Sequence, residues 1–480
     1  MQVEPTDEEL SAYATTVGRL RLLAADHPAR LRAERIAKSF VREGRRERRR
    51  ERRVEATVAD ALLSAATVTG SLTRREDAPL ALPAAASPLG SFRRGRHCYV
   101  CKSTYRQADR FYHRLCPDCA ADNTSRRALS TDLSGRRALL TGGRVKIGFQ
   151  LALMMLRDGA DLIVTSRFPQ DTVRRFRAAP GSADWLDRLT VVGIDLRDPR
   201  QVIGLCEQLR ADGRPLDILV NNAAQTIRRA PEAYALLAVG EHSPLPPGSP
   251  VRHAPGFRPM PALSAAWPAA ELGPAGLATA ESAAAEPGPA PLPAAIPGAA
   301  GTPGGLAPYA DESGLLPDTA PQNSWSARLG GLDAAEMLET QLVNALAPAL
   351  LCDRLLPLLL AAPHPNRYIV NVSAVEGQFT VRNKTGNHPH TNMAKAALNM
   401  LTRTSAADLA AQGVHMCAVD TGWITDENPA PKKAHLAGLG FRPPLDVVDG
   451  AARIYDPIVR GEAGAPVSGV FLKDYREAAW

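Results

Sequence analysis

Residues 137 to 148 read RALLTGGRVKIG, an apolar run that passes through a glycine turn into a helical stretch. The run suits a strand buried on both faces. The turn then aims backbone N–H groups and the positive end of the following helix at one point, an arrangement that suits a pyrophosphate. The motif gains its weight from the chain that follows. DLIVTSR, LTVVGIDL, LDILVNNAA, YIVNVSA and MCAVDTG are further short apolar runs, separated by helical stretches. Strands that alternate with helices imply a parallel sheet covered on both faces, so the fold class is α/β with a doubly wound parallel sheet.

At particular positions this part of the chain resembles the short-chain dehydrogenase/reductase family, and the resemblance covers nearly everything after residue 130 except one insertion. Thr141, Gly142 and Gly148 match the family's TGxxxGxG loop, with Lys146 in place of the middle glycine and Arg144 and Ile147 beside it. Asp195-Leu196 looks like the adenine-contacting pair, and Asn222-Ala223 lies in a stretch, NNAA, that resembles NNAG. Asn344 resembles the active-site Asn that holds a water in the proton relay, and Ser373 the Ser that bonds the substrate oxygen. Gly422 and Ile424 fall in a DTGWI stretch that resembles the PG loop beside the nicotinamide. The resemblance implies a Rossmann fold, oxidoreduction of a carbonyl or alcohol on a small molecule, and homo-oligomers paired through the Asn344 and Lys395 helices.

The second strand ends in Ser166-Arg167, where an acidic residue would bond a free ribose 2′-OH. A hydroxyl and a guanidinium suit a 2′-phosphate instead, so the expected cofactor is NADP(H), with Arg144 as a second cation. The family's YxxxK motif departs further. Lys395 matches the lysine, but Thr391 stands four residues earlier, and an aliphatic hydroxyl is far too weak an acid to replace a tyrosine. The neighbouring histidines titrate near neutrality, which makes His390, and after it His388, the expected proton donor. The alternative is a non-catalytic NADP(H)-binding sensor or scaffold.

Upstream, Cys98-x-x-Cys101 and Cys116-x-x-Cys119 are separated by fourteen residues. Two such turns make a tetrahedral S4 site for zinc, with every position filled by protein and therefore structural. A segment this small folds only with its metal and docks either a partner or the neighbouring domain. Arg42 to Arg53 carries eight Arg and three Glu, which reads as a solvated charged helix rather than a nucleic-acid site. The resulting map is a basic helical arm and linker over 1–90, a zinc knuckle over 91–125, and the α/β domain over 126–480. An Ala/Pro/Gly-rich insertion at about 232–327 is expected to be disordered, because its side chains bury too little surface to offset ordering entropy. No run approaches the ~20 apolar residues of a membrane span. The acidic N-terminus lacks a signal-peptide pattern, so the expected location is the cytoplasm.

Overall fold

The computed structural model describes residues 4–84, 88–259, 310–318 and 320–480. Two helices open the chain, α1 (Asp7–Arg21) and α2 (Pro28–Ala65). Thr6 and Glu9 cap the first reciprocally, and Pro28 starts the second where a missing N–H costs nothing. The arginine run lies in α2, whose residues are exposed almost throughout, as a solvated charged helix requires.

A two-stranded hairpin follows, β1 (Gly90–His97) with β2 (Thr104–Ala108), and then α3 (Pro117–Arg126). This small module is not an independent bead. Phe92, Cys98, Phe111, Tyr112 and Leu115 share one buried cluster with Ile147, Ile424, Leu445 and Val447 of the α/β domain.

The large sheet contains β3 (Arg137–Leu140), β4 (Asp161–Ser166), β5 (Leu189–Gly193), β6 (Ile218–Asn221) and β7 (Val251–His253), then β8 (Arg367–Ser373), β9 (Val414–Asp420), β10 (Phe471–Lys473) and β11 (Arg476–Ala478). Its order is β11-β10-β9-β8-β6-β3-β4-β5-β7, parallel except for the β10–β11 pair. The chain reverses direction across the sheet at β3 and β6, which opens a crevice at their carboxyl ends. The covering helices are α4 (Lys146–Arg157), α5 (Pro169–Ala178), α6 (Pro199–Ala211), α7 (Ala235–Glu241), α8 (Ala334–Gln341), α9 (Ala347–Leu360), α10 (Pro389–Ala410), α11 (Ala430–Gly438) and α12 (Val447–Glu462). All six predicted apolar runs became strands. Residues 334–360 form one helical run that is long and apolar enough to cross a membrane. In this fold Leu351, Leu355 and Leu359 of that run are buried against the sheet.

Two boundaries differ from the sequence reading. The insertion expected at 232–327 is ordered at both ends. Its first part supplies α7 and β7, and β7 pairs with β5. Its last part places Leu315 against Phe168, Tyr234 and Leu237, and stacks Trp325 on His388 at 3.9 Å. Composition averaged over the whole stretch hid these few apolar anchors. Residues 260–309, the most Ala/Pro/Gly-rich part, lie outside the described residues. Within the stretch 75–90, read from its composition as a linker, residues 76–80 instead form a strap along the α/β domain. Glu76 pairs with Lys433 at 2.5 Å, and the Leu80 N–H donates to Asp446 at 2.8 Å.

Replacing 232–327 with a short bridge should therefore lower the melting temperature by more than 5 °C or prevent folding, since β7 and the Leu237–Leu315 contact go with it. Excision confined to 260–309 removes none of these contacts and should leave the melting temperature unchanged. Thermal unfolding of the two deletions separates the boundaries.

Candidate active site

A cleft of about 390 Å³ follows the crevice. Its lining unites Gly142, Arg144, Lys146, Ile147, Gly148, Ser166, Arg167, Asp195, Leu196, Asn222 and Ala223. Thr141 sits beneath it and accepts the N–H groups of Asn222 and Ala223, each at 3.0 Å. The Asn222 amide donates to the carbonyls of Thr141 and Gly142, both at 3.0 Å. A Cβ on Gly148 would collide with the Gly142 carbonyl, so only glycine lets α4 start this close to the turn.

Lys146 adopts the left-handed conformation (φ 54°) that the missing glycine would take at no cost. Its ammonium pairs with Asp77 of the strap at 3.1 Å. Burial opposes its charge, but Glu427 and Asp77 outweigh that and raise its pKa. Arg144 is already engaged: it donates to Asp171 at 2.7 Å and to Ser313 O at 2.8 Å. The expected second cation for a 2′-phosphate is thus tied to α5, a correction that follows from its burial. Arg167 differs. It lies over the rings of Phe168 and Tyr234, at 5.7 and 5.2 Å, and among the described residues no carboxylate lies within ion-pair distance of it. Ser166 accepts the Phe168 N–H at 3.0 Å, and Asp195 holds Arg197.

At the far end of the crevice the expected catalytic residues are less closely joined. Asn344 lies in a π-turn (Leu342–Leu346) between α8 and α9, and both ends of its amide bond the backbone of Gln225, at 2.7 and 2.9 Å. The Ser373 hydroxyl donates inward to Asn399 at 2.5 Å, so it is committed to the core and not to a substrate oxygen. The Thr391 hydroxyl is buried without a partner. The His390 ring is 1% exposed and turned towards Glu336 of α8, at 3.8 Å. One residue further along a helix is about 100° of rotation, so His390 leaves the face that Thr391 shares with Lys395. His388 is held on the Trp325 ring. The sequence reading preferred His390 as proton donor, and this orientation argues against it.

Lys395 and Gly422 sit at the ends of the neighbouring strands β8 and β9. The Lys395 ammonium donates to Val372 O at 2.7 Å, and burial lowers its pKa to about 8. Glu376, missed from sequence, follows β8 on a short turn, and its carboxyl pKa is raised by burial, with Asp420 adding and Lys384 and Lys395 opposing. Gly377 packs directly on the backbone of Lys395. Gly422, at φ 81°, donates its N–H to Asp420 at 3.0 Å, and Ile424 is buried beside the small module. Among the described residues, six buried polar atoms between His388 and Asn399 have no hydrogen-bond partner: His388 Nδ1, both His390 ring nitrogens, Thr391 Oγ1, Asn392 Oδ1 and Asn399 Nδ2. Of these, the Thr391 hydroxyl lies on the face of α10 that carries Lys395, while the two histidine rings face Glu336 and Trp325.

The four thiols of Cys98, Cys101, Cys116 and Cys119 all lie within 4.8 Å of one another, and Cys101 Sγ stands 3.7 Å from Cys116 Sγ. The edge of a tetrahedron built on zinc–sulfur bonds of about 2.3 Å is about 3.8 Å, so the donor set fits that ion.

The family model described as short chain dehydrogenase matches residues 136–236, and the one described as Enoyl-(Acyl carrier protein) reductase matches 317–435. The two matches flank the undescribed stretch. Uncharacterized protein R665 of Acanthamoeba polyphaga mimivirus is 27% identical over 381 residues, 76% of this chain and 71% of that one. C-signal of Myxococcus xanthus is 29% identical over 136 residues, 28% of this chain and 80% of its own. Carbonyl reductase Sniffer of D. melanogaster, a solved structure, is 18% identical over 72% of this chain and all of that one, with a TM-score of 0.43.

Lys395 gives a direct test of this site's electrostatics. A lysine with a depressed folded pKa opposes folding fully below about pH 8, and that cost fades as pH rises towards 10.5. Lys395→Met should therefore stabilise the cofactor-free protein at pH 7 by on the order of 1 to 3 kcal/mol, and by progressively less towards pH 10. Melting curves across that range decide the point. A lower melting temperature at pH 7 would mean that the bond to Val372 outweighs desolvation.

Proposed function

We propose that this chain, which belongs to the short-chain dehydrogenase/reductase family, is an NADP(H)-dependent oxidoreductase of a small carbonyl or alcohol, built around a structural zinc. The observation that carries the cofactor choice is Arg167: a guanidinium at the adenosine end of the cleft, flanked by two rings and without a carboxylate. A 2′-phosphate supplies the anion that such a group lacks. Gly142, Gly148 and Asn222 shape the pyrophosphate end. Lys395 and the unpartnered Thr391 hydroxyl, on one face of α10, suit the polar nicotinamide and substrate end. The exposed apolar side chains of Leu346, Met393 and Met400 support pairing of copies through the Asn344 and Lys395 helices.

Held by Gly142, Gly148, Arg167 and Lys395, NADPH would supply the hydride for the carbonyl carbon. The remaining tasks fall to the chain. Lys395 anchors the nicotinamide ribose, as the family resemblance implies. The proton for the resulting alkoxide is assigned to Glu376, which precedes Gly377 on the turn packed against the Lys395 backbone and whose carboxyl pKa is raised by burial. The second reading, a sensor without hydride transfer, is favoured by Thr391 and by the inward turn of Ser373.

Two sets of variants test these assignments. The unmodified protein should bind NADPH more tightly than NADH, and Arg167→Asp should weaken NADPH roughly 10- to 100-fold, the range of a charge-assisted hydrogen bond. Equal affinities for both cofactors in the unmodified protein would refute the choice. Glu376→Gln should cut turnover on a reducible carbonyl by roughly two orders of magnitude with NADPH affinity nearly unchanged, while His388→Ala/His390→Ala keeps most of it. The reverse pattern would return the role to histidine, and tight NADPH binding with no turnover on any carbonyl would favour the sensor.

A further inference from the structure

We infer that the four-cysteine module holds the nicotinamide end of the cleft in place through Tyr99, so that zinc occupancy and cofactor binding are coupled. The cofactor half of this statement rests on the reading above. The direction of the coupling rests on geometry.

Tyr99 lies between Cys98 and Cys101, so the turn that closes two thiolates on a metal also fixes the residue between them. Its backbone N–H donates to Arg114 O at 2.8 Å, across the module. Its hydroxyl leaves the module and accepts the Trp423 N–H at 2.9 Å. Trp423 stands between Gly422 and Ile424, the two residues expected beside the nicotinamide. The same module lays the Arg114 guanidinium over the Trp423 ring at 5.8 Å. The Tyr99 ring in turn lies 5.8 Å from the Lys473 ammonium, which pairs with Asp420 at the root of the loop.

The strap completes the hold. Arg74 donates to the carbonyls of Pro443 and Leu445, and Asp77 takes the Thr425 hydroxyl at 2.8 Å while pairing with Lys146 of the glycine turn. One loop therefore depends on a module whose far side is packed on the α/β domain, while the Cys98–Cys101 turn that carries Tyr99 is closed by the thiols themselves. That turn owes its shape to the metal. The main core around Leu139, Leu351 and Ile369 belongs to a separate cluster and does not. Loss of zinc is expected to release Tyr99, then Trp423, and to leave the sheet folded. Linkage makes the effect reciprocal: bound cofactor tightens zinc binding by the same factor.

Tyr99→Phe in the full chain keeps the ring and removes the acceptor. The variant should retain one zinc per chain by elemental analysis and an unchanged far-UV spectrum. Its Trp423 amide should exchange several-fold faster, and its Kd for NADPH should rise several-fold, as the loss of one hydrogen bond allows. Chelating zinc from the unmodified protein should raise the Kd at least tenfold and speed Trp423 exchange further, both reversed by added Zn²⁺. Unchanged Trp423 exchange in both cases overturns the coupling, whether or not NADPH binds. Faster exchange in protein that never binds NADPH overturns the cofactor reading instead. Protein purified without chelators that contains no zinc overturns the metal's part.

Discussion

The assembly turns on a buried charge cluster at the start of α12. Asp446 and Asp449 cap that helix reciprocally, and both are fully buried. Arg127, just past α3, donates to Asp446 at 2.6 and 3.0 Å and to Asp449 at 3.0 Å, while Tyr112 donates to Asp449 at 2.6 Å. Burial and the neighbouring Asp446 carboxylate push the Asp449 pKa up, and the two carboxylates hold that of Arg127 up against its own desolvation. Removing one member of such a cluster strands a charge in the interior, at roughly 3 to 5 kcal/mol. Because Tyr112 comes from the cysteine module, Arg127 directly follows its helix α3 and α12 belongs to the α/β domain, the cluster makes the two one body. Arg126 with Asp456 and Arg453 with Asn123 continue the same seam.

Once that seam is closed, the oddities of the glycine turn acquire a cause. A lysine at a left-handed position is strained, and the strain persists where the surroundings compensate it. Here they do so with Asp77, a carboxylate that only a docked strap brings within reach. Lys146 is thus better understood as the point where the N-terminal segment grips the cofactor loop than as a decayed glycine. The same strap reaches α11 through Glu76 and Lys433, so the glycine turn and the loop after β9 are held by one short piece of chain.

The parallel sheet, its strands and the adenosine end were legible because they are written in local pattern: apolar runs, glycine spacing, and the residue at the end of the second strand. The four cysteines were legible for the same reason. What stayed hidden depends on contacts distant in sequence. Asp77 lies in an Ala/Pro-rich stretch that composition assigns to a linker, and Tyr99 looks like filler between two ligands. Arg144 is an unremarkable loop cation until Asp171 and Ser313 are seen beside it. The apolar anchors Leu237, Leu315 and Trp325 were lost in the average of a long Pro-rich segment.

Ser373 shows the limit of motif reading most sharply. Side chains alternate along a strand, so a shift of a single position turns a hydroxyl from the crevice to the core. Ser373 ends β8, and its bond to Asn399 belongs to a polar file that also contains Asn371 with Thr402 and Asn221 with Asn371. That file ties β6 and β8 to α10 from within. A serine in it supports the helix that carries Lys395, but it has no proton left to offer a substrate. With Thr391 equally unsuited, neither hydroxyl of the familiar motif is available for proton transfer. The carboxyl that follows β8, Glu376, has its pKa raised by burial, and the next residue, Gly377, packs on the backbone of Lys395.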